Sequence, residues 1–95
     1  MSKDLKKFDA SEYLTDSEAI AEYLNAAMES GDQALLMAAI ADVAKATGMQ
    51  AIARSSGLGR ESLYKALSPG AKPRFETVYK ILQALGVRLS MSAQP

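Results

Sequence analysis

The sequence predicts an all-α domain: five helices closed by a short C-terminal β-strand. Three observations point there. Apolar residues recur at three- and four-residue intervals in five stretches, each bounded by capping or breaking residues. A single stretch, Val87 to Met91, alternates apolar and polar with the period of a strand. The 95 residues, 48% hydrophobic and 23% charged, match the size and balance of one globular domain and leave little room for a second.

Residues 1–14, with the basic pair Lys6-Lys7 ahead of Phe8, read as a flexible arm, and residues 15–95 as the single folded domain. Thr15 and Glu18 have the spacing of a capping box; Ile20, Leu24, Ala27 and Met28 follow at helical intervals, and Gly31 is a natural stop. Asp32 can cap a second, alanine-rich helix in which Leu36, Ile40 and Val43 share a face, ending near Gly48. Thr47 and Gln50 form another capping box, opening a short third helix with Met49, Ile52 and Ala53 on one side. Ser55-Ser56-Gly57 closes it. A fourth helix runs from about Arg60 to Leu67, since Pro69-Gly70 and Pro73 forbid its continuation. The fifth, from about Arg74 to Leu85, turns Phe75, Val78, Ile81, Leu82 and Leu85 toward a core and ends at Gly86. Val87, Leu89 and Met91 then alternate with Arg88 and Ser90 as the closing strand, which needs a partner.

The chain contains no His and no Cys. A His-based triad, a thiol nucleophile, an ordinary zinc site, a haem and an iron–sulfur centre are out of reach, so neither an enzyme nor a cofactor is expected. Ser55-Ser56 has no evident base beside it, and Lys45 is no better placed for catalysis. No apolar run follows the basic N-terminus, and the longest uncharged apolar stretch, Ala34 to Ala41, falls far short of the roughly 20 residues that span a bilayer. A soluble, cytoplasmic protein without membrane contact is expected.

Net charge is zero, but it is segregated. Residues 1–48 carry nine acids against four bases, and residues 49–95 carry seven bases against two acids, Glu61 and Glu76. Either this is chance variation on two solvated faces, or the C-terminal half meets a polyanion while the N-terminal half meets a basic partner.

The run from Gln50 to Leu67 has helix-turn-helix spacing. Small Ala53 lets the second helix cross close above it, Gly57 supplies a positive φ in the turn, and Leu58 and Leu63 lock the crossing. On a helical wheel with Arg60 at zero, Tyr64, Ser68, Glu61 and Lys65 fall at about 40°, 80°, 100° and 140°, opposite Leu63, Ala66 and Leu67. One face is apolar; the other offers a guanidinium, a phenol, a carboxylate and an ammonium, groups suited to base edges and phosphates in a major groove. Arg60, at the helix N-terminus, is placed for a bidentate pair with guanine, worth about 1 to 3 kcal/mol of discrimination. An ordinary helical hairpin with a polar outer face would show the same spacing.

Several positions stay open. Gly59 caps less well than Ser or Thr and offers a phosphate only its backbone N–H. Glu61 is suited either to accept from cytosine or to pair with Lys65 one turn on. Lys72 and Arg74 either hold backbone phosphates or are solvated loop charges, and Gln50 either bonds a phosphate or closes the capping box with Thr47.

The run Gly57-Leu58-Gly59-Arg60-Glu61-Ser62-Leu63-Tyr64-Lys65-Ala66-Leu67-Ser68, then Pro73-Arg74-Phe75-Glu76-Thr77 and Ala84-Leu85-Gly86-Val87-Arg88-Leu89, resembles the addiction-module antidote proteins of bacterial toxin–antitoxin systems. So do Glu12-Tyr13-Leu14, Ala21-Glu22-Tyr23-Leu24-Asn25 and Ala44-Lys45-Ala46-Thr47-Gly48-Met49, so the likeness covers nearly the whole chain. The resemblance implies a lambda-repressor-like, five-helix helix-turn-helix fold of the HigA type. It also implies a homodimer that binds double-stranded operator DNA, represses its own operon and neutralises a basic, RelE-like toxin that cleaves mRNA. Carried over onto the motif, the recognition face is Arg60, Glu61, Ser62, Tyr64 and Lys65. A solitary phage-type repressor and an acidic protein-binding adaptor that never touches DNA are the competing expectations.

Overall fold

The computed structural model describes residues 16–95; the arm expected over residues 1–14, and Thr15, lie outside them. Five helices follow one another: α1 (Ser17–Glu29), α2 (Gln33–Thr47), α3 (Met49–Ser56), α4 (Arg60–Ala66) and α5 (Phe75–Ala84). Among the described residues there is no strand.

The cap of α1 is Asp16, not Thr15: its backbone is extended and its carboxylate accepts from the Glu18 N–H at 3.2 Å. Aspartate satisfies an orphan N–H as well as threonine does and adds a negative charge at the positive end of the helix. At the other end Ser30 locks the corner into α2, its hydroxyl donating to the Ala27 carbonyl at 2.6 Å and accepting from the Asp32 N–H at 3.0 Å. Asp32 then caps α2 as expected, accepting from the N–H groups of Ala34 and Leu35. The two helices form a hairpin tied by the Tyr23 hydroxyl, which donates to Asp42 at 3.2 Å. Partial burial, and then the neighbouring Asp42 carboxylate, raise the Tyr23 pKa above the ordinary phenol value.

The second capping box does not form. Thr47 is the last residue of α2, Gly48 is the cap of α3, and no side chain bonds the first turn of α3. With one residue between the helices, Thr47 is still helical and cannot take the extended backbone a cap needs. The chain turns by 104° here, and no single helix among the described residues is long and apolar enough to cross a membrane.

Ile40, Val43, Ile52, Leu63 and Ile81 are the largest fully buried side chains, so α2, α3, α4 and α5 meet in one core, to which α1 adds Ile20 and Leu24. Each such aliphatic side chain contributes about 1.5–3 kcal/mol by leaving water. Of the α5 stripe expected to face this core, Ile81, Leu82 and Leu85 are buried and Val78 packs against it, but Phe75 is 69% exposed. Phe75 sits in the first turn of α5, beyond the rim of the core, with its ring against Tyr79 at a centroid distance of 5.9 Å. Gly86 ends α5 in a Schellman turn: its N–H bonds the Gln83 carbonyl and the Val87 N–H bonds that of Leu82.

The expected C-terminal strand is absent. Val87 and Leu89 do pack against the core while Arg88 and Ser90 are exposed, so the alternation in burial is real, but it breaks at Met91, which is 92% exposed. Alternation sets which side chains point inward; a strand also requires a neighbouring backbone, and no ladder hydrogen bond reaches this segment among the described residues.

Candidate nucleic-acid interface

The candidate interface is built on the corner between α3 and α4. Ala53 is buried under it, and the Gly57 N–H closes α3 on the Ala53 carbonyl at 3.1 Å. Gly57 is left-handed, at φ 76°, ψ 8°. Ser56 braces the turn, its hydroxyl donating to the Ala53 carbonyl and accepting from the Leu58 N–H. Gly59 lies at φ 83°, ψ 159°, a region that essentially only glycine occupies. That explains why no Ser or Thr stands at this cap: a side chain there would strain the backbone that aims α4.

α4 is seven residues long and contacts the rest of the molecule chiefly through α3. Leu63, Ala66 and Leu67 anchor it in the core. Arg60, Glu61, Ser62, Tyr64 and Lys65 all lie exposed on the outer surface, as the helical wheel requires. The Arg60 guanidinium rests over the Tyr64 ring, 5.6 Å from its centroid, and Tyr64 remains 46% exposed. Such a stack narrows the rotamers of a long cation without neutralising it. The Ser68 hydroxyl finishes the helix on the carbonyls of Tyr64 and Lys65.

Glu61 and Lys65, one turn apart, make no ion pair with each other; the pair found in this half of the chain is Lys80–Glu76 on α5, at 3.6 Å. Their heads project toward solvent. Lys72 and Arg74 are exposed in the segment leading to α5, and Arg74 caps α5 with its backbone while its side chain is unpaired. Gln50 is exposed in the first turn of α3 and closes no capping box. The structure therefore assembles Gly59, Arg60, Glu61, Ser62, Tyr64 and Lys65 on one short element and leaves Gln50, Lys72 and Arg74 on flanking segments, with no side-chain bond between them and α4. Sequence reasoning placed Ser56 at the end of α3 and Ser68 on the polar face but not their hydroxyl–backbone bonds, which finish α3 and α4 respectively; serine at a helix end is a recognisable signal for this. It also passed over Arg54, exposed in the last turn of α3.

Fold and surface together define a small all-helical protein that presents a short, polar, cation-bearing helix on a glycine-cornered hairpin. The chain belongs to the family described as "Probable addiction module antidote protein", whose model matches residues 4–93. An uncharacterized protein of Haemophilus influenzae is 42% identical over 91 residues, spanning 96% of this chain and 94% of its own. No solved structure matches.

Proposed function

We propose that the protein is the antitoxin of a type II toxin–antitoxin module, and that α3 and α4 act as a helix-turn-helix of the lambda-repressor kind. As a homodimer in the cytoplasm it binds a palindromic operator, with one α4 in the major groove of each half-site, and represses its own operon. It also binds and neutralises a basic, RelE-like toxin encoded beside it. Membership of the antidote family supports the toxin partner.

The observation that carries the DNA half of this reading is the division of α4. Leu63 is fully buried while every side chain suited to base edges or phosphates is exposed on the opposite face, with Arg60 already ordered on Tyr64. In this arrangement Arg60 pairs with guanine, and Glu61, Ser62 and Tyr64 reach adjacent base edges or phosphates. Lys65, Lys72, Arg74, Gln50 and the Gly59 N–H hold the backbone. The acidic-adaptor alternative leaves this face without a role.

The test is titration of the DNA upstream of the gene and of a scrambled duplex at two salt concentrations, with wild-type chain and Arg60→Ala. The expected outcome is salt-sensitive binding in which Arg60→Ala loses affinity for the upstream site and little for the scrambled one. Equal loss on both duplexes would remove base reading by Arg60.

A further inference from the structure

We propose that a cleft on the side of the molecule formed by α1, α2 and α5 receives an apolar helix of the basic toxin; the inference rests on the antitoxin reading above. The cleft encloses about 420 Å³. Its walls are helical stripes at i, i+3, i+4 and i+7: Leu24 and Met28 on α1, Leu36 and Met37 on α2, and Phe75 and Val78 on α5, with Val87 and Leu89 of the C-terminal segment closing one side. Met28 and Phe75, at the rim, are 48% and 69% exposed. Grooves walled in this way are suited to an amphipathic helix, and methionines let the walls adapt to its side chains.

Charge selects the kind of helix. On the α1 wheel, with Ala21 at zero, the cleft-lining Leu24, Met28 and Asn25 fall at about 300°, 340° and 40°, and Glu18 and Glu29 follow at about 60° and 80°. One edge of the apolar wall is therefore a ridge of carboxylates. Between residues 16 and 48 six acids stand against one base, Lys45. Among the described residues Arg88 is the one charged residue lining the cleft itself, on the side of the C-terminal segment. A fitting partner thus presents apolar side chains flanked by Lys or Arg toward α1 and an acid or carbonyl toward Arg88.

A second copy of this chain fits poorly. A two-fold interface sets the same patch against itself, so a concave cleft would face a concave cleft and carboxylates would face carboxylates. No α4 residue lines the cleft, so toxin and DNA can be held by different surfaces of one chain.

The experiment measures binding of the purified product of the adjacent open reading frame to the full chain. Wild type is compared with Met28→Lys, Phe75→Lys and the ridge double variant Glu18→Lys/Glu29→Lys, all at exposed positions, with folding checked by circular dichroism. Met28→Lys and Phe75→Lys are expected to weaken binding about tenfold or more. The ridge variant should lower the association rate and flatten its salt dependence. Binding of upstream DNA by Met28→Lys, and the sedimentation coefficients of all variants, should stay at wild-type values. If wild type binds the neighbouring product and the rim variants bind as tightly, the cleft assignment is wrong while the antitoxin function stands. If the rim variants turn a dimer into monomers, the cleft is a self-interface and the assignment fails. No binding by wild type overturns the antitoxin reading and this inference with it.

Discussion

Single side chains decide the chemistry here. Arg60 is the one cation of α4 held by a neighbour's ring, and it is the residue whose loss should show most clearly in sequence discrimination. In competition titrations with single-base-pair operator variants, Arg60→Ala should cost about 1–3 kcal/mol against the preferred base pair and flatten the preference at that position. Tyr23 makes a separate, pH-dependent prediction. Its raised pKa means the folded state favours the neutral phenol that donates to Asp42. The resulting stability is complete below the unfolded value of about 10 and is lost as pH rises through the higher folded value. In thermal melts the stability advantage of wild type over Tyr23→Phe should therefore shrink above about pH 10. The Tyr23–Asp42 bond was not legible in the sequence beforehand. Tyr23 and Asp42 lie nineteen positions apart and meet only because two helices fold back on each other. Arg60 and Tyr64 share a face one turn apart on the wheel, but spacing alone does not show that the guanidinium rests over the ring.

At the level of the element, most of the fold was legible. Periodicity and breaking residues placed all five helices, though of the expected side-chain caps only Asp32 held, and the buried faces of α2, α3 and α4 are those the sequence spacing predicts. The failures have specific causes. Phe75 continued the apolar stripe of α5 on paper, but a stripe does not reveal where the core ends. Residues 87–91 had the alternation of a strand, which reports side-chain direction and not the presence of a neighbouring backbone. Thr47 and Gln50 had capping-box spacing, and tight chaining through Gly48 kept Thr47 inside α2. Gly59 reverses a sequence-based expectation. A serine there would add a cap, yet at φ 83°, ψ 159° Gly59→Ser should destabilise the protein by about 1–3 kcal/mol in urea unfolding. Asp32→Ala should cost about 0.5–2 kcal/mol by leaving the N–H groups of Ala34 and Leu35 without their acceptor.

At the scale of the whole molecule, charge divides by element. Among the described residues the acids concentrate on the α1–α2 hairpin and the bases on the segments from α3 onward, a division suited to two partners of opposite sign. For a dimer bound to successive half-sites, the two α4 helices must lie about 34 Å apart, with the exposed face of α5 around Tyr79, which does not line the cleft, as the candidate surface for pairing. Sedimentation at micromolar concentration should report a dimer; a monomer would remove the palindromic arrangement. The central claim is that the outer face of α4 enters DNA, and it is tested most directly by NMR titration of isotopically labelled chain with the duplex upstream of its gene. The backbone signals of Gly59 to Lys65, with Lys72 and Arg74, should shift together and saturably at low salt and recover at high salt, while those of α1 stay in place. Shifts confined to the α1–α2 hairpin, or no shift at low salt, would contradict it.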